Sequence, residues 1–382
     1  MKVLHLGKYY PPHFGGIERV SYDLVESINQ QGICADVLCF NDSSISLYEE
    51  GKYKIYRAAN LFTLRSTPFS ISLLKILRQI HQNYDIIHLH LPNPMGAIAL
   101  QLVNFKGKIV IHWHSDIIRQ KTLKKFYAPF QKALLKRADQ IIVTSPPYLE
   151  GSEDLRDFKN KCVIIPIGIN TPDLPDESLL SDLRKTYSDK KIVFSLGRLI
   201  YYKGFNYLID AAKELPDNYL VLIGGTGELN DELLEQIKLN RLESHVILLG
   251  NISANEIATY FELCDLYCLP SCERSEAFGI VQIEAMSFGK PIVSTSIPFS
   301  GVSWINEHCS TGLIVPSRNS NALAEAIQTI LSDRETCERY GSNARKRFNA
   351  EFSVEKMCQR TIDLYKSLLI GKNGEIDHLI PV

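Results

Sequence analysis

The feature that most constrains this chain is an alternation repeated along its length, in which short runs rich in Val, Ile and Leu are separated by stretches with helical spacing. "KVLHLG", "CADVLCF", "DIIHLHL", "KIVIHWH", "QIIVTS" and "CVIIPIG" read as strands before residue 170. "KIVFSLG", "YLVLIGG", "HVILLG", "DLYCLP" and "KPIVST" repeat the pattern after it. Apolar strands without polar alternation are buried on both faces, and with helices between them they form parallel, doubly wound α/β sheets. Two such sheets are expected, joined near "IPIGINTPDLPDES", whose Pro166, Pro172 and Pro175 suit an interdomain linker. The 382 residues, 45% hydrophobic and 22% charged, are enough for two cores. The expected division is a Rossmann-like domain at 1–170, a second at 171–360 and a C-terminal segment at 361–382. Open α/β sheets bind ligands at the carboxyl ends of their strands, so a cleft between the domains is the expected site.

Met1-Lys2 runs straight into a strand, and no apolar stretch approaches the ~18 residues of a membrane span, so neither a signal peptide nor a span is expected. The nine cysteines are scattered without a Cys-x-x-Cys pair, and Cys264, Cys268 and Cys272 cross a strand and a loop, where ligands do not converge. They read as small buried hydrophobes in a reducing, cytoplasmic compartment. The net charge of -1 hides an asymmetry: residues 1–170 carry 21 Lys+Arg and 14 Asp+Glu, a balance of +7, leaving 21 and 29, or -8, for the rest.

After the first strand, Gly15 and Gly16 in "KYYPPHFGGIERV" precede a helix with apolar Val20, Leu24 and Ile28. The glycine pair suits either backbone amides approaching an anion or a tight turn alone. "SLGRLIYYKGF" places Arg198 and Lys203 just beyond a strand, where two cations suit a diphosphate or form a solvated pair. "LIGGTGEL" holds Gly224, Gly225 and Gly227 but completes no dinucleotide fingerprint, which argues against NAD. In "CERSEAFGIVQIEAMSFGKP", helical spacing from Phe278 to the Gly289-Lys290-Pro291 stop places Glu276 at the helix mouth and Glu284 about two turns deeper. The carboxylates suit a sugar hydroxyl and a ribose, with the Phe278 and Gly279 amides meeting the same ligand; a dipole-complementing glutamate and a surface glutamate are the alternative.

With "GGIERV", "HLHLPNP", "HWHSD", "GRLIYYKG", "GTGE" and "ERSEAFGIVQIEAMSFGKPIV" in order, the sequence resembles the GT-B retaining glycosyltransferases of glycosyltransferase family four over nearly its whole length. The resemblance implies a GT-B fold and transfer of a hexose from a UDP or GDP donor to a glycan or lipid-linked acceptor, without an obligatory metal. Gly15 and Gly16 would lie against the donor, and Arg198 and Lys203, with Gly225 nearby, would take the departing diphosphate. Glu276, Ala277, Phe278, Gly279 and Ile280 would position the hexose, and Glu284 the ribose. A donor-side histidine at a strand end is expected to be His114 rather than His112, with Asp116 as an acceptor-side base or orienting group. His88 and His90 read as satisfied structural histidines, with Asn93 beside them.

Residues 119–137, "RQKTLKKFYAPFQKALLKR", carry seven Lys+Arg and no acid among apolar positions that include Leu134 and Leu135. Such a segment reads as an anionic-membrane element, or as a helix packed on its own domain with a solvated basic face. With the +7 half around it, it points to peripheral association on the inner face of a cell membrane and to envelope polysaccharide synthesis by analogy. Nucleic acid is not an expected partner, because stacking surfaces and known motifs are missing. A GT-B epimerase or phosphorylase, and a catalytically silent partner of another transferase, are the competing readings.

Overall fold

The computed structural model describes residues 1–13, 15–64, 67–116, 121–171 and 173–370, and the side chains of all of these except 121–126 and 254. The chain divides into two compact units: Met1–Asn170 together with the segment from Ser353 onward, and Thr171–Phe352.

The first unit contains β1 (Lys2–Leu6), β2 (Cys34–Phe40), β3 (Leu47–Glu50), β4 (Lys54–Ala58), β5 (Phe62–Leu64), β6 (Thr67–Phe69), β7 (Ile86–Leu91), β8 (Lys108–Trp113), β9 (Gln140–Val143) and β10 (Cys162–Ile164). Its main sheet has the order β10-β9-β8-β7-β1-β2-β4-β3, parallel except for β3, and β5 pairs with β6 as a separate hairpin. Every residue of β7 is buried, as a strand covered on both faces requires. The helix Gly16–Gln30 buries Val20, Leu24, Val25 and Ile28 and packs against the helix Val354–Ile370. That second helix turns Met357, Cys358, Ile362 and Tyr365 inward at helical spacing. Residue 361, where the C-terminal segment was expected to begin, falls inside it. The chain enters the first unit earlier because Ser353 bridges Ile169 and the Val354 amide donates to the Ile169 carbonyl at 2.9 Å.

The second unit holds β11 (Lys191–Leu196), β12 (Tyr219–Gly224), β13 (Val246–Gly250), β14 (Leu266–Leu269), β15 (Ile292–Ser296) and β16 (Gly312–Pro316). They form one parallel sheet in the order β13-β12-β11-β14-β15-β16. Val193, Val221, Phe205, Leu208, Leu323 and Ile327 are among the residues of its core. Each quoted apolar run is a strand, and the structure adds β3 to β6 and β16. Of these, β3 is exposed at all four positions, so it carries no apolar signal.

Cys264 and Cys268 are buried and no disulfide links the described cysteines, but Cys34 and Cys309 are exposed rather than core residues. Among the described residues no helix is long and apolar enough to cross a membrane. The basic segment forms the helix Lys121–Arg137; positions 119 and 120 lie outside the described residues, as do the side chains of Leu123 and Phe126. Its later half packs on its own unit: Leu134 and Leu135 are buried, Arg137 donates to the carbonyls of Leu100 and Phe105, and Lys132 pairs with Asp157. Leu134 and Leu135 are therefore core residues and not part of a lipid-facing surface.

A Cβ at Gly168 would overlap the Ser353 carbonyl, whereas one at Gly51 would meet nothing within 4 Å. Gly168→Ala is expected to destabilise the first unit by about 1–3 kcal/mol in urea unfolding, as overpacking does, and Gly51→Ala to leave it within error of the parent.

Candidate active site

In the second sheet β11 and β14 are neighbours from which the chain winds outward in opposite directions, so their following loops diverge at the carboxyl edge. Both loops carry residues singled out in the sequence. The loop after β11 leads through Arg198 to the turn Tyr201–Lys203, and the loop after β14 runs from Pro270 to Gly279. Two backbone features tie the loops together. The Cys272 amide donates to the Tyr202 carbonyl at 2.8 Å, and Gly204, in the left-handed region at φ 68°, lies where a Cβ would strike the Pro270 carbonyl.

The result is a buried ion pair. Lys203 Nζ lies 2.6 Å from Glu276 Oε2, with the two side chains 10% and 11% exposed. Ser271 Oγ donates to the same carboxylate oxygen at 2.9 Å, and Ser300 Oγ donates to the Glu276 carbonyl. An ammonium has three donors and a carboxylate about four acceptor sites, so each partner keeps capacity for a ligand. Arg198 is exposed, with Nη2 donating to Tyr202 Oη at 3.3 Å. Gly225 follows β12 at φ 129°, and a Cβ there would overlap the Gly197 carbonyl, so packing between strand-end loops by itself demands glycine.

The helix after β14 starts at Ile280, two residues later than its apolar spacing suggests, because Gly279 caps it in the left-handed region at φ 84°. Phe278 therefore precedes the cap, and its ring is buried edge-on against Phe352. The Ala277 carbonyl accepts from the Gly301 amide at 2.8 Å. Glu284 is half-buried on the helix Ile280–Ser287. Tyr267, which sequence reasoning missed, is buried beside both glutamates: desolvation first, then Glu276 and Glu284, push its phenol well above the usual range.

In the first unit the corresponding reversal lies between β1 and β7. Gly15 and Gly16 stand exposed at the N-terminus of the helix Gly16–Gln30, with Glu18 in its first turn. His114 follows β8 directly, almost wholly buried, with Nε2 at 3.0 Å from His90 Nδ1 and its ring stacked on His112 at 4.0 Å. Asp116 Oδ1 accepts from Trp113 Nε1 at 2.9 Å and Ser152 Oγ at 2.8 Å, and its amide donates to Tyr148 Oη. Those contacts make it an anchor of the strand-end loop. Asn93 caps the helix Pro94–Gln101 by accepting from the Gly96 amide.

His88 and His90 are not isolated satisfied histidines. They sit in a buried array with His5, His112 and His114, in which His88 Nε2, His114 Nδ1 and both nitrogens of His112 lack a partner among the described residues. The alternation was visible in each strand, but the register that joins the strands was not. Burial, then the neighbouring imidazoles, lowers His5, His88, His112 and His114 well below the usual histidine range, and burial lowers His90 to about 3.

Two mainly parallel α/β sheets, the second with a buried ion pair at its topological reversal, define a two-domain α/β protein with a charged strand-end cluster. Residues 181–347 match the family described as Glycosyl transferases group 1, and residues 14–172 match Glycosyltransferase Family 4. O-antigen chain mannosyltransferase C of Escherichia coli is 36% identical over 98% of this chain and all of that protein. D-rhamnosyltransferase WbpZ of Pseudomonas aeruginosa is 34% identical over 93% of each chain. The crystal structure of Anabaena HepE in complex with UDP shares the fold, with a TM-score of 0.76 at 24% identity over 96% of this chain and all of that one. The chain belongs to the group 1, family 4 glycosyltransferases and has their GT-B fold of two Rossmann-like domains.

Removing one member of a buried pair strands the other charge. Lys203→Met is expected to cost the second unit about 3 kcal/mol in urea unfolding, and the double variant Lys203→Met/Glu276→Gln less than that. The neutral histidines predict an acid response in the first unit. Their folded pKa values lie below the unfolded value of 6.5, so the folded state binds fewer protons. Stability is then full above pH ~6.5 and falls as pH drops below it, by on the order of 1.4 kcal/mol per pH unit for each histidine. Urea midpoints measured from about pH 7.5 down to 5 should show this decline, and His112→Phe should make it shallower.

Proposed function

We propose that this glycosyltransferase moves a hexose of mannose configuration from a nucleoside diphosphate to a growing envelope polysaccharide, such as an O-antigen chain, with retention of anomeric configuration. The observation that carries the reading is the buried Lys203–Glu276 pair at the reversal point of the second sheet, with Arg198 exposed beyond the same strand. The two relatives of highest identity reported above are named for mannose and D-rhamnose, and D-rhamnose is the 6-deoxy form of D-mannose.

In this reading Lys203 and Arg198 neutralise the charge that develops on the leaving diphosphate, UDP or GDP, and take the part that a divalent metal plays elsewhere. Glu276, held by Lys203 and Ser271, orients the hexose together with the amides from Phe278 to Ile280, and Glu284 takes the ribose hydroxyls. His114 and Gly16 are assigned to the donor by the family resemblance, Gly15 and Gly225 to shaping backbone near it, and Asp116 to orienting its loop. The acceptor attacks from the face that the diphosphate leaves, so no protein nucleophile is needed. The basic helix Lys121–Arg137 favours association with anionic membranes, where lipid-linked acceptors reside, on the cytoplasmic side.

Calorimetric titration with UDP, GDP and TDP, with and without Mg2+, is expected to give binding of one nucleoside diphosphate that does not require the metal. Glu276→Ala should lower sugar transfer by at least about a hundredfold, as loss of a preorganised charged group does, and unchanged turnover would exclude the assignment.

A further inference from the structure

The five buried histidines share one face because β1, β7 and β8 are neighbours in register. His5 pairs with His88 and His90 with His112, and the two-residue period of a strand keeps His88 with His90 and His112 with His114. Tyr365, buried on the helix Val354–Ile370, reaches the same cluster: its Oη is hydrogen-bonded to His88 Nδ1 and lies 3.5 Å from His5 Nε2. The contacts then run in one line, from His5 Nδ1 to His90 Nε2 at 3.1 Å and from His90 Nδ1 to His114 Nε2 at 3.0 Å. The line ends at two buried nitrogens without a partner among the described residues, His88 Nε2 and His114 Nδ1.

Two groups of ring nitrogens here, those of His5, His88 and His90 and those of His90, His112 and His114, lie within 4.8 Å of one another, close enough to suggest a metal. The ring planes rule against it. An ion must lie in the plane of every imidazole it binds, because the lone pair does. His112 and His114 stack face to face at 4.0 Å and 15°, His5 and His88 at 4.7 Å and 19°, and His88 and His90 at 4.7 Å and 18°. In-plane lone pairs on parallel, stacked rings do not meet at one point.

Hydrogen-bond bookkeeping gives the array a different role. Burial keeps the rings neutral, and a neutral imidazole has one N–H and one lone pair, so a ring that accepts at one nitrogen must donate from the other. Tyr365 Oη can donate only once. Two arrangements satisfy every contact and also spend the Tyr365 hydroxyl proton within the cluster: His88, His5, His90 and His114 all protonated on Nδ1, or all protonated on Nε2. A phenol accepting from both His88 and His5 would leave its own proton buried and unpaired. We propose that Tyr365, His88, His5 and His90 are positioning residues forming a tautomer relay that fixes whether His114 presents a proton or a lone pair at Nδ1. This rests on the assignment of His114 to the donor. In the first arrangement Nδ1–H serves a phosphate or hydroxyl oxygen, and in the second the bare nitrogen accepts from a hydroxyl. His112, stacked on His114, holds the ring plane without entering the line.

The test is ring 15N NMR of the full chain with labelled histidine at neutral pH, each ring assigned by single substitution. The expected result is one shared tautomer for His5, His88, His90 and His114. Tyr365→Phe, which keeps the ring and removes the hydroxyl, should populate both tautomers at His114 and lower kcat for sugar transfer about tenfold with KM little changed, as loss of a partner that orients a functional histidine does. Mixed tautomers in the parent protein, a histidinium among the four, or stoichiometric bound metal by elemental analysis would overturn the relay. His114→Ala separates the two ideas. Full turnover in that variant, with four matching tautomers in the parent protein, removes the donor assignment alone; lost turnover in the variant, with mismatched tautomers in the parent, removes the relay alone.

Discussion

A parallel sheet buried on both faces has almost nowhere to put polar chemistry except the ends of its strands, and the second unit follows that constraint closely. The strands β12 and β14 are apolar throughout and β11 from Ile192 to Phe194, and the candidate site residues Arg198, Lys203 and Glu276 lie in the loops beyond β11 and β14. Adjacency of β11 and β14 brings two sequence-distant loops to one edge, and the Cys272–Tyr202 hydrogen bond together with the glycine at 204 closes the gap. The meeting of Lys203 and Glu276 is thus a consequence of strand order and of one backbone position that tolerates no side chain.

The energetics of that pair favour preorganisation over stability. Two charges taken out of water recover their desolvation only through short contacts and added hydrogen bonds, which Ser271 supplies to the carboxylate and Ser300 to its backbone. A well-packed apolar pair would serve stability as well or better. What the ion pair adds is a cation and a carboxylate held in fixed geometry before any ligand arrives, so that little ordering entropy is lost on binding. Arg198 is the complement: exposed and lightly tethered to Tyr202, it keeps a freedom of movement that the buried pair lacks.

The fold was largely legible because continuous apolar runs are a direct record of two-sided burial. Exposed strands such as β3 bury too little to leave that record, whereas β16 does carry a short apolar run, Leu313 to Val315, that went unread. The placement of the candidate residues was legible: Arg198 and Lys203 stand just beyond β11, Glu276 in the loop after β14 and Glu284 on the adjoining helix. Contacts across the sheet were not legible. Nothing in "GRLIYYKG" reveals that its lysine meets a glutamate 73 positions away, and nothing in "LYKSLL" that its tyrosine meets His88. Helix boundaries failed for a local reason, since the left-handed cap at Gly279 turns Phe278 into a core residue although it continues the apolar spacing.

The first sheet departs from the rule that the second obeys. Histidines at 5, 88, 90 and 112 occupy interior positions where Val or Ile would pack without unpaired polar atoms, and each must lose its hydration to fit. For His5 and His90 the loss is limited because imidazoles can satisfy one another in a line, each accepting on one edge and donating from the other, whereas both nitrogens of His112 lack a partner among the described residues. That same property makes the line indivisible: no internal ring can change its proton without forcing its neighbours to change theirs. A histidine at the end of such a line is therefore coupled to residues as distant in sequence as Tyr365, and the helix carrying that tyrosine bears on the hydrogen bonding of the buried rings as well as on packing.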